Sequence, residues 1–566
     1  MQEIEATTKR LLINDILSKF FVGLLEKNPD ALLPTVYLCI NSVGPEYEGL
    51  ELGLGETLLM KAIANSTGRS MQSIKSDTTE LGDLGLVAVK SKLNQKTMFK
   101  PKRLTIEGVF KALREIALIS GKDSMQKKID KVHFLLVSSQ NNEAKFIIRI
   151  LEGKLRIGLA GQSVLIALAH AAVDHCKKEL KIKEAGLDEK YNEAVAIIKS
   201  VYSELPSFDS IIPVIINHGI FELPHHCKLT PGIPLKPMLA HPTKSITEVL
   251  DRFENIPFTC EFKYDGERGQ IHKLEDGKVV IFSRNLENMT TKYPDVIERI
   301  PKVHLTIDFQ FCKDSVSSFV MDCEIVAWDV KEQKILPFQV LSTRKRKDVS
   351  TKDIEVQICI FAFDLLYLNG VPLLKETLKK RRELLTSSFV PVAGSFDFVK
   401  MMDSTSIEDI ETFLEDSVQG NCEGLMVKTL IEESSYEPSK RSRNWLKVKK
   451  DYVNGVGDSL DLVVIGGYLG KGKRTGHYGG YLLACYDEDS EQYQAICKIG
   501  TGFSDQDFAA HSEALSKHVI TAAKSYYVCH ENIKPDVWFE PSVVWEVKAA
   551  DFSISPIYAA AKGLVQ

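Results

Sequence analysis

Nowhere in the 566 residues do two cysteines stand as C-x-x-C, although the chain has eleven, an odd number, scattered along its length. That spread fits free thiols in a reducing compartment better than a disulfide framework or a zinc site. His225, His226 and Cys227 adjoin, but no second ligand pair accompanies them, so zinc is not expected. No uninterrupted apolar run approaches the ~18 residues of a membrane span. Asp15 and Lys19 break the apolar stretch from Leu11 to Leu25, which excludes a signal peptide. An excess of positive charge is also missing. The net charge of −5 argues against a uniformly basic nucleic-acid coat. Internal repeats and low-complexity tracts are absent. What is present is ordinary globular composition, 44% hydrophobic and 26% charged. At roughly 100–200 residues per domain, the length predicts three or four domains.

Positive charge is instead gathered locally. Residues 90–103 hold Lys90, Lys92, Lys96, Lys100, Lys102 and Arg103; residues 344–347 read Arg-Lys-Arg-Lys; residues 440–450 hold Lys440, Arg441, Arg443, Lys447, Lys449 and Lys450. Each cluster reads either as a solvated face or as a local anion contact. Up to about residue 228 the chain reads as helical, with Leu11, Leu12, Ile16, Phe20 and Val22, and later Val109, Leu113, Ile116 and Ala117, at helical spacing. Residues 161–176 are apolar enough for a buried helix. Before them, Gly153 to Gly158 places Lys154 and Arg156 between glycines, either a phosphate-holding helix entrance or a plain connection. Pro231, Pro234, Pro237 and Pro242 then mark a linker at 228–242. From about 243 to 450, short strands alternate with helices (VVIFSR, FVMDCEIVAWD, VQICIFAFDLLYL, CEGLMVKTL). From about 451, glycine-punctuated strands (LDLVVIGGYL, GGYLLACYD, YQAICKIG, SVVWEVKAA) predict a small β-barrel.

The densest signal is residues 261–268, Glu-Phe-Lys-Tyr-Asp-Gly-Glu-Arg. Lys263 and Asp265 alternate onto one strand face, with Gly266 opening a turn. Alone, this is a nucleophile with its orienting shell or a solvated strand end. Four further polar sets follow on strands: Arg284 after VVIFS, Glu324 beside Asp322, Glu423 opening EGLMVK, and Lys447 with Lys449 in WLKVKK. Charges in otherwise apolar strands cost several kcal/mol unless paired. Five converging sets of carboxylates and cations suit a polyphosphate and a divalent metal. A near match to the phosphate loop, Gly467-x4-Gly472-Lys473, is set aside because Arg474 replaces the required Ser or Thr; its glycines read as a barrel hairpin.

Lys263-Tyr-Asp-Gly266 matches the K-x-D-G signature of the covalent nucleotidyltransferases, the superfamily of polynucleotide ligases and capping enzymes. FKYDGER, SRN, the AWD strand, PFQVLSTRKRK, FAFDLLYLNG, CEGLMVK and NWLKVKKDY closely resemble a eukaryotic ATP-dependent DNA ligase of the DNA ligase I type, and EGKLRIGLAGQSV and HCKLTPGIPLKPMLAHP extend the similarity over nearly the whole chain. A capping or RNA-ligating relative fits less well, given the long helical region. The resemblance implies an all-α DNA-binding domain at 1–228, an α+β nucleotidyltransferase (adenylation) domain at 229–450, and an OB-fold β-barrel at 451–566. It implies a nuclear, monomeric enzyme of replication and repair that uses ATP and Mg2+ and seals nicks in duplex DNA. Lys263 would take AMP from ATP as a phosphoramidate, pass it to a 5′-phosphate, and release it when the 3′-hydroxyl closes the strand. With pKa ~10.4, about one lysine amine in a thousand is free near neutrality, and Arg268, Lys447 and Lys449 would bias it toward the free form. Asp265 and Arg268 would assist. Glu261, Arg268, Arg284, Glu324, Phe363, Glu423, Arg441, Lys447 and Lys449 would join Lys263 in holding the nucleotide, Phe363 by stacking on adenine. Glu324 and Glu423 would position the metal, and Lys154, Arg156, Lys471, Lys473 and Arg474 the DNA.

Two departures from the family pattern are expected to matter. The sequence stops at Gln566, where the family continues into a last barrel strand with an arginine- and lysine-bearing motif that assists charging. The alternative expectation is therefore a nick-binding protein that cannot charge itself, yet closes nicks already carrying AMP. The family's polar N-terminal region, with its sliding-clamp-binding motif, is also not in this sequence.

Overall fold

The computed structural model describes residues 1–92, 102–177, 186–243, 245–300, 311–345, 349, 354–403, 406–449, 459–549 and 555–561. It divides into two compact units. One comprises Met1–Gln2, Leu52–Ile157 and Val456–Gln566; the other comprises Glu3–Glu51 and Gly158–Gly455.

In the first unit, helices such as Glu56–Thr67, Ile106–Leu118 and Ser124–Ser138 bury one apolar stripe each, for example Phe110, Leu113 and Ile116. Its C-terminal part is a seven-stranded sheet. The long central strand Ser459–Leu469 pairs antiparallel with Tyr478–Asp487, which pairs with Gln492–Ile499; Val537–Phe539 and Val544–Lys548 pair with the central strand from its other edge. This OB-like sheet keeps the two residues of the Gly466–Gly467 step small. A Cβ at Gly466 would lie 2.4 Å from the Pro535 ring.

The second unit opens with the helix Arg10–Lys27, packed on Gly161–Cys176, the buried helix read from sequence. The buried face of the first is Ile13, Leu17, Phe21 and Leu25. Leu11 and Phe20, two of the apolar residues that mark its helical spacing, are 85% and 50% exposed. Apolar residues stand nearly all round this helix, so spacing alone does not choose its inner face.

Among the described residues twelve strands follow: β1 (Leu239–Pro242), β2 (Phe258–Tyr264), β3 (Glu267–Lys273), β4 (Val279–Ser283), β5 (Phe319–Asp329) and β6 (Lys334–Ile335). After them come β7 (Ile358–Leu368), β8 (Val371–Pro372), β9 (Phe396–Phe398), β10 (Met401–Met402), β11 (Cys422–Thr429) and β12 (Arg441–Lys449). They form two sheets. One runs β1-β12-β11-β2-β10; the other runs β4-β3-β5-β7-β8, with β6 and β9 added to β5 and β7. Asp265 and Gly266 are all that separates β2 of one sheet from β3 of the other. Gly266 must be small there, because a Cβ would sit 2.4 Å from the Ile325 carbonyl oxygen.

The proline-marked segment at 228–242 is no loose linker. Leu229, Leu235 and Met238 are buried against Val320, Leu366, Tyr436 and Trp445. Its backbone is hydrogen-bonded to buried side chains: Gly232 N–H to His272 Nδ1 at 3.0 Å, Leu235 N–H to Gln270 Oε1 at 3.0 Å, and Met238 N–H to the Tyr436 hydroxyl at 3.0 Å. Prolines mark where regular structure stops, not whether the chain is tied down.

Candidate active site

Three rows of side chains cross β12, β11 and β2 on one face. Lys449, Gly424 and Lys263 form the first, Lys447, Met426 and Glu261 the second, and Trp445, Lys428 and Thr259 the third. Successive rows are two residues apart and therefore share a face. Glu423 would point away, but Cys422 pairs with Tyr264 and Gly424 with Lys263, so Glu423 is the extra residue of a bulge. A bulge re-aims its side chain. Glu423 Oε2 thereby accepts from Lys263 Nζ, and from Lys449 Nζ at 2.7 Å.

The second sheet supplies the facing wall. Arg268 on β3 pairs in register with Glu324 on β5. Arg268 donates to Asp322 Oδ2 at 2.6 Å, to the Met238 carbonyl at 2.8 Å and to the Tyr436 hydroxyl at 3.1 Å. Its Nε is buried with no protein partner, which leaves a donor for a ligand. Phe363, like Glu423, is a bulge residue, skipped between the pairs Asp322–Asp364 and Cys323–Ala362. The Arg268 guanidinium lies 5.2 Å from its ring centroid.

These walls enclose a cavity of about 440 Å3, lined by all ten residues expected to hold the nucleotide, from Glu261 to Lys449. Asp265 is adjacent; burial, then the Glu423 charge, raises its pKa above the usual carboxylate range. Glu324 is pushed up to about 7, first by burial, with Lys263 and Arg268 pulling the other way. Burial also works against the Glu423 charge, but Lys263 and Lys449 outweigh it and hold that carboxyl below its usual value. Lys447 is lowered by burial and then by the cations Lys449, Lys263 and Arg441. Among the described residues no group of three or more His, Cys, Asp or Glu side chains is placed to hold a metal ion. A donor set of Glu423 and Glu324 facing an open cavity instead suits magnesium, which keeps its waters and binds through one or two carboxylates plus substrate phosphates.

Sequence reasoning passed over Lys428, Trp445 and Met426, all lining the cavity. Lys428 is 1% exposed, 2.5 Å from Glu261 Oε2, and within 4.6 Å and 4.4 Å of the Phe363 and Trp445 ring centroids. Its place two residues beyond Met426 on an apolar strand was the available signal. Glu261 is also held by Arg382 at 3.1 Å.

Of the expected DNA contacts, Arg156 sits beside the 471–474 turn, since its guanidinium and the Gly472 N–H both donate to the Gly82 carbonyl. Lys154 is exposed. Arg156 donates to the Gly82 carbonyl at 2.8 Å, Lys471 pairs with Glu56 at 2.6 Å, and Arg474 lies 3.4 Å from Asp505. The Lys473 side chain is outside the described residues. So are Arg346, Lys347, Lys96, Lys100 and Lys450 of the basic clusters. Arg344, read as part of a basic run, is buried and donates to Asp295 Oδ1 at 2.5 Å, so it is a structural cation rather than a surface one.

A cleft between two sheets, with a lysine and carboxylates on one wall and an arginine and an aromatic ring on the other, defines a nucleotidyltransferase of the ligase kind. Residues 237–449 match the ATP dependent DNA ligase domain, residues 1–169 the DNA ligase N terminus, and residues 474–561 the ATP dependent DNA ligase C terminal region. DNA ligase 1 of Drosophila melanogaster is 53% identical over 569 residues, spanning 100% of this chain and 74% of its own length. DNA ligase 1 of Schizosaccharomyces pombe is 53% identical over 568 residues, spanning 100% of this chain and 72% of its own. That of Arabidopsis thaliana is 49% identical over 559 residues, spanning 98% and 69%. The chain belongs to the ATP-dependent DNA ligases.

Proposed function

We propose that this ligase seals single-strand nicks in duplex DNA through AMP carried on Lys263, in nuclear replication and repair. The observation that carries the reading is the position of Lys263 in the cavity wall, with Glu423 and Lys449 on one side and Arg268 and Glu324 facing it. Lys263 Nζ bonds the α-phosphorus of ATP and pyrophosphate leaves. Phe363 and Met426 flank the base, Arg284 and Arg441 hold phosphates at the rim, and Lys447 and Lys449 neutralise the charge that develops on the α-phosphate. Glu423 and Glu324 would hold Mg2+, which would offset the triphosphate charge. Asp265 and Arg268 keep Lys263 and the ribose end in register.

The ten residues proposed to hold the nucleotide line one cavity of a single chain, which supports action as a monomer. The eukaryotic DNA ligase 1 relatives support the nuclear role. The helical region 1–228 and the barrel region 451–566, which flank the adenylation region 229–450 in sequence, serve as the DNA-gripping parts through Lys154, Arg156, Lys471, Lys473 and Arg474.

Incubation with α-labelled ATP, followed by a denaturing gel, tests the reading. A labelled band is expected for the wild type and none for Lys263→Ala. A band that survives in the variant, or none in the wild type, overturns it.

A further inference from the structure

Two cavities of the second unit share a wall. The nucleotide cavity and a larger one of about 1100 Å3 are both lined by Leu239, Glu267, Arg284 and Phe338. Lys292 lines only the larger cavity, yet its Nζ lies 2.5 Å from Glu267 Oε2, in the shared wall. An ammonium therefore stands against the wall that the two spaces share. The lysine and glutamate side chains are 14% and 27% exposed, so both are partly desolvated yet not sealed from solvent.

The pair is arranged to open. The buried Tyr293 hydroxyl donates to the same Glu267 Oε2 at 2.5 Å. When the ammonium turns to another anion, the carboxylate keeps a donor and is not orphaned. Glu267 thus works as a rest position for Lys292, held in place by Tyr293 and by the start of β3.

We propose that Lys292 is a second phosphate-holding cation for the acceptor strand, positioned by Glu267, and that it governs transfer of AMP to the nick rather than the charging of Lys263. The inference rests on the ligase reading above. In that step a 5′-phosphate oxygen bonds the AMP phosphorus, the phosphorus–nitrogen bond to Lys263 Nζ breaks, and the departing amine takes up a proton. Two anions must approach each other for this. Arg284 offers one cation at the shared wall, and Lys292, released from Glu267, offers the second.

The test separates the two half-reactions. Protein charged with α-labelled ATP is freed of nucleotide and mixed with a nicked duplex bearing a 5′-phosphate, and AMP transfer is followed in one turnover. Lys292→Met and Lys292→Gln should charge at the wild-type rate, transfer about tenfold more slowly, and lose the binding preference for a 5′-phosphate nick over a 5′-hydroxyl nick. Glu267→Gln should also slow transfer, and add nothing in the Lys292→Met background. Unchanged transfer and preference, charging slowed by the same factor as transfer, or full additivity of the two substitutions overturns the proposal. A wild type that takes no label from ATP refutes the ligase reading instead.

Discussion

Glu423 meets Lys263 only because the residue after it is glycine. Gly424 has φ +143°, and a Cβ there would lie 2.2 Å from the Val448 carbonyl oxygen and 3.0 Å from Lys449 Cα. Gly424→Ala should destabilise the protein by at least ~1–3 kcal/mol and turn Glu423 off the cleft. Urea unfolding would show the first effect, and loss of AMP labelling beyond the loss of folded protein the second. Lys263, Asp265 and Gly266 were legible as a motif because their relation is local, set by strand alternation and one turn. Glu423 and Phe363 could be named from sequence, but their aim could not. Both sit at bulges, where pairing with a neighbouring strand decides the direction of the side chain.

At the scale of elements, the segment preceding β1 is fastened by a buried polar chain: Gly232 to His272, His272 Nε2 to Gln270 Oε1 at 2.9 Å, and Gln270 Nε2 to Asp322 Oδ1 at 3.1 Å. Asp322 in turn holds Arg268 in the site. Burial pushes the His272 pKa from 6.5 down to about 3, against the pull of Asp322. In that window the unfolded chain binds a proton that the folded chain does not. This contribution to stability is therefore intact above pH 6.5 and lost as pH falls toward 3, by ~1.4 kcal/mol per unit. His272→Gln should remove that slope, so the stability gap between wild type and variant closes as the solution is acidified, read by unfolding midpoints at several pH values. A second fastening lies behind Phe363. Asp364 and Arg381 are both wholly buried, with contacts of 2.7 and 3.0 Å between β7 and the helix Leu378–Ser388. Arg381→Met should cost ~3–5 kcal/mol by stranding the carboxylate, and the double variant with Asp364→Leu should recover much of that in thermal unfolding. Strand positions such as FVMDCEIVAWD were readable because apolar runs of that length with branched residues have few alternatives. The fastening partners lie far apart in sequence, and nothing local announces them.

For the whole molecule, a net charge of −5 means that DNA must be gripped by placed cations rather than by a general positive field. Of the cations proposed for this, Lys154 stands exposed, whereas Arg156, Lys471 and Arg474 are engaged with protein oxygens in this structure. Lys154→Ala should weaken binding to nicked duplexes of any sequence and flatten the plot of log affinity against log salt by ~0.9, measured by fluorescence anisotropy. The sequence by itself carried the proposed chemistry: the candidate nucleophile Lys263, its carboxylates and its cations are short motifs whose residue types that reaction requires. It also determined most strands and helices, through periodicity. Only the tertiary structure decided which face of an apolar helix is inside, that the proline-marked segment is strapped to the site, and that Glu267 ties Lys292 to a shared cavity wall. Those outcomes depend on contacts between residues distant in the chain, and on the cost of leaving buried polar groups unpaired, which no local pattern records.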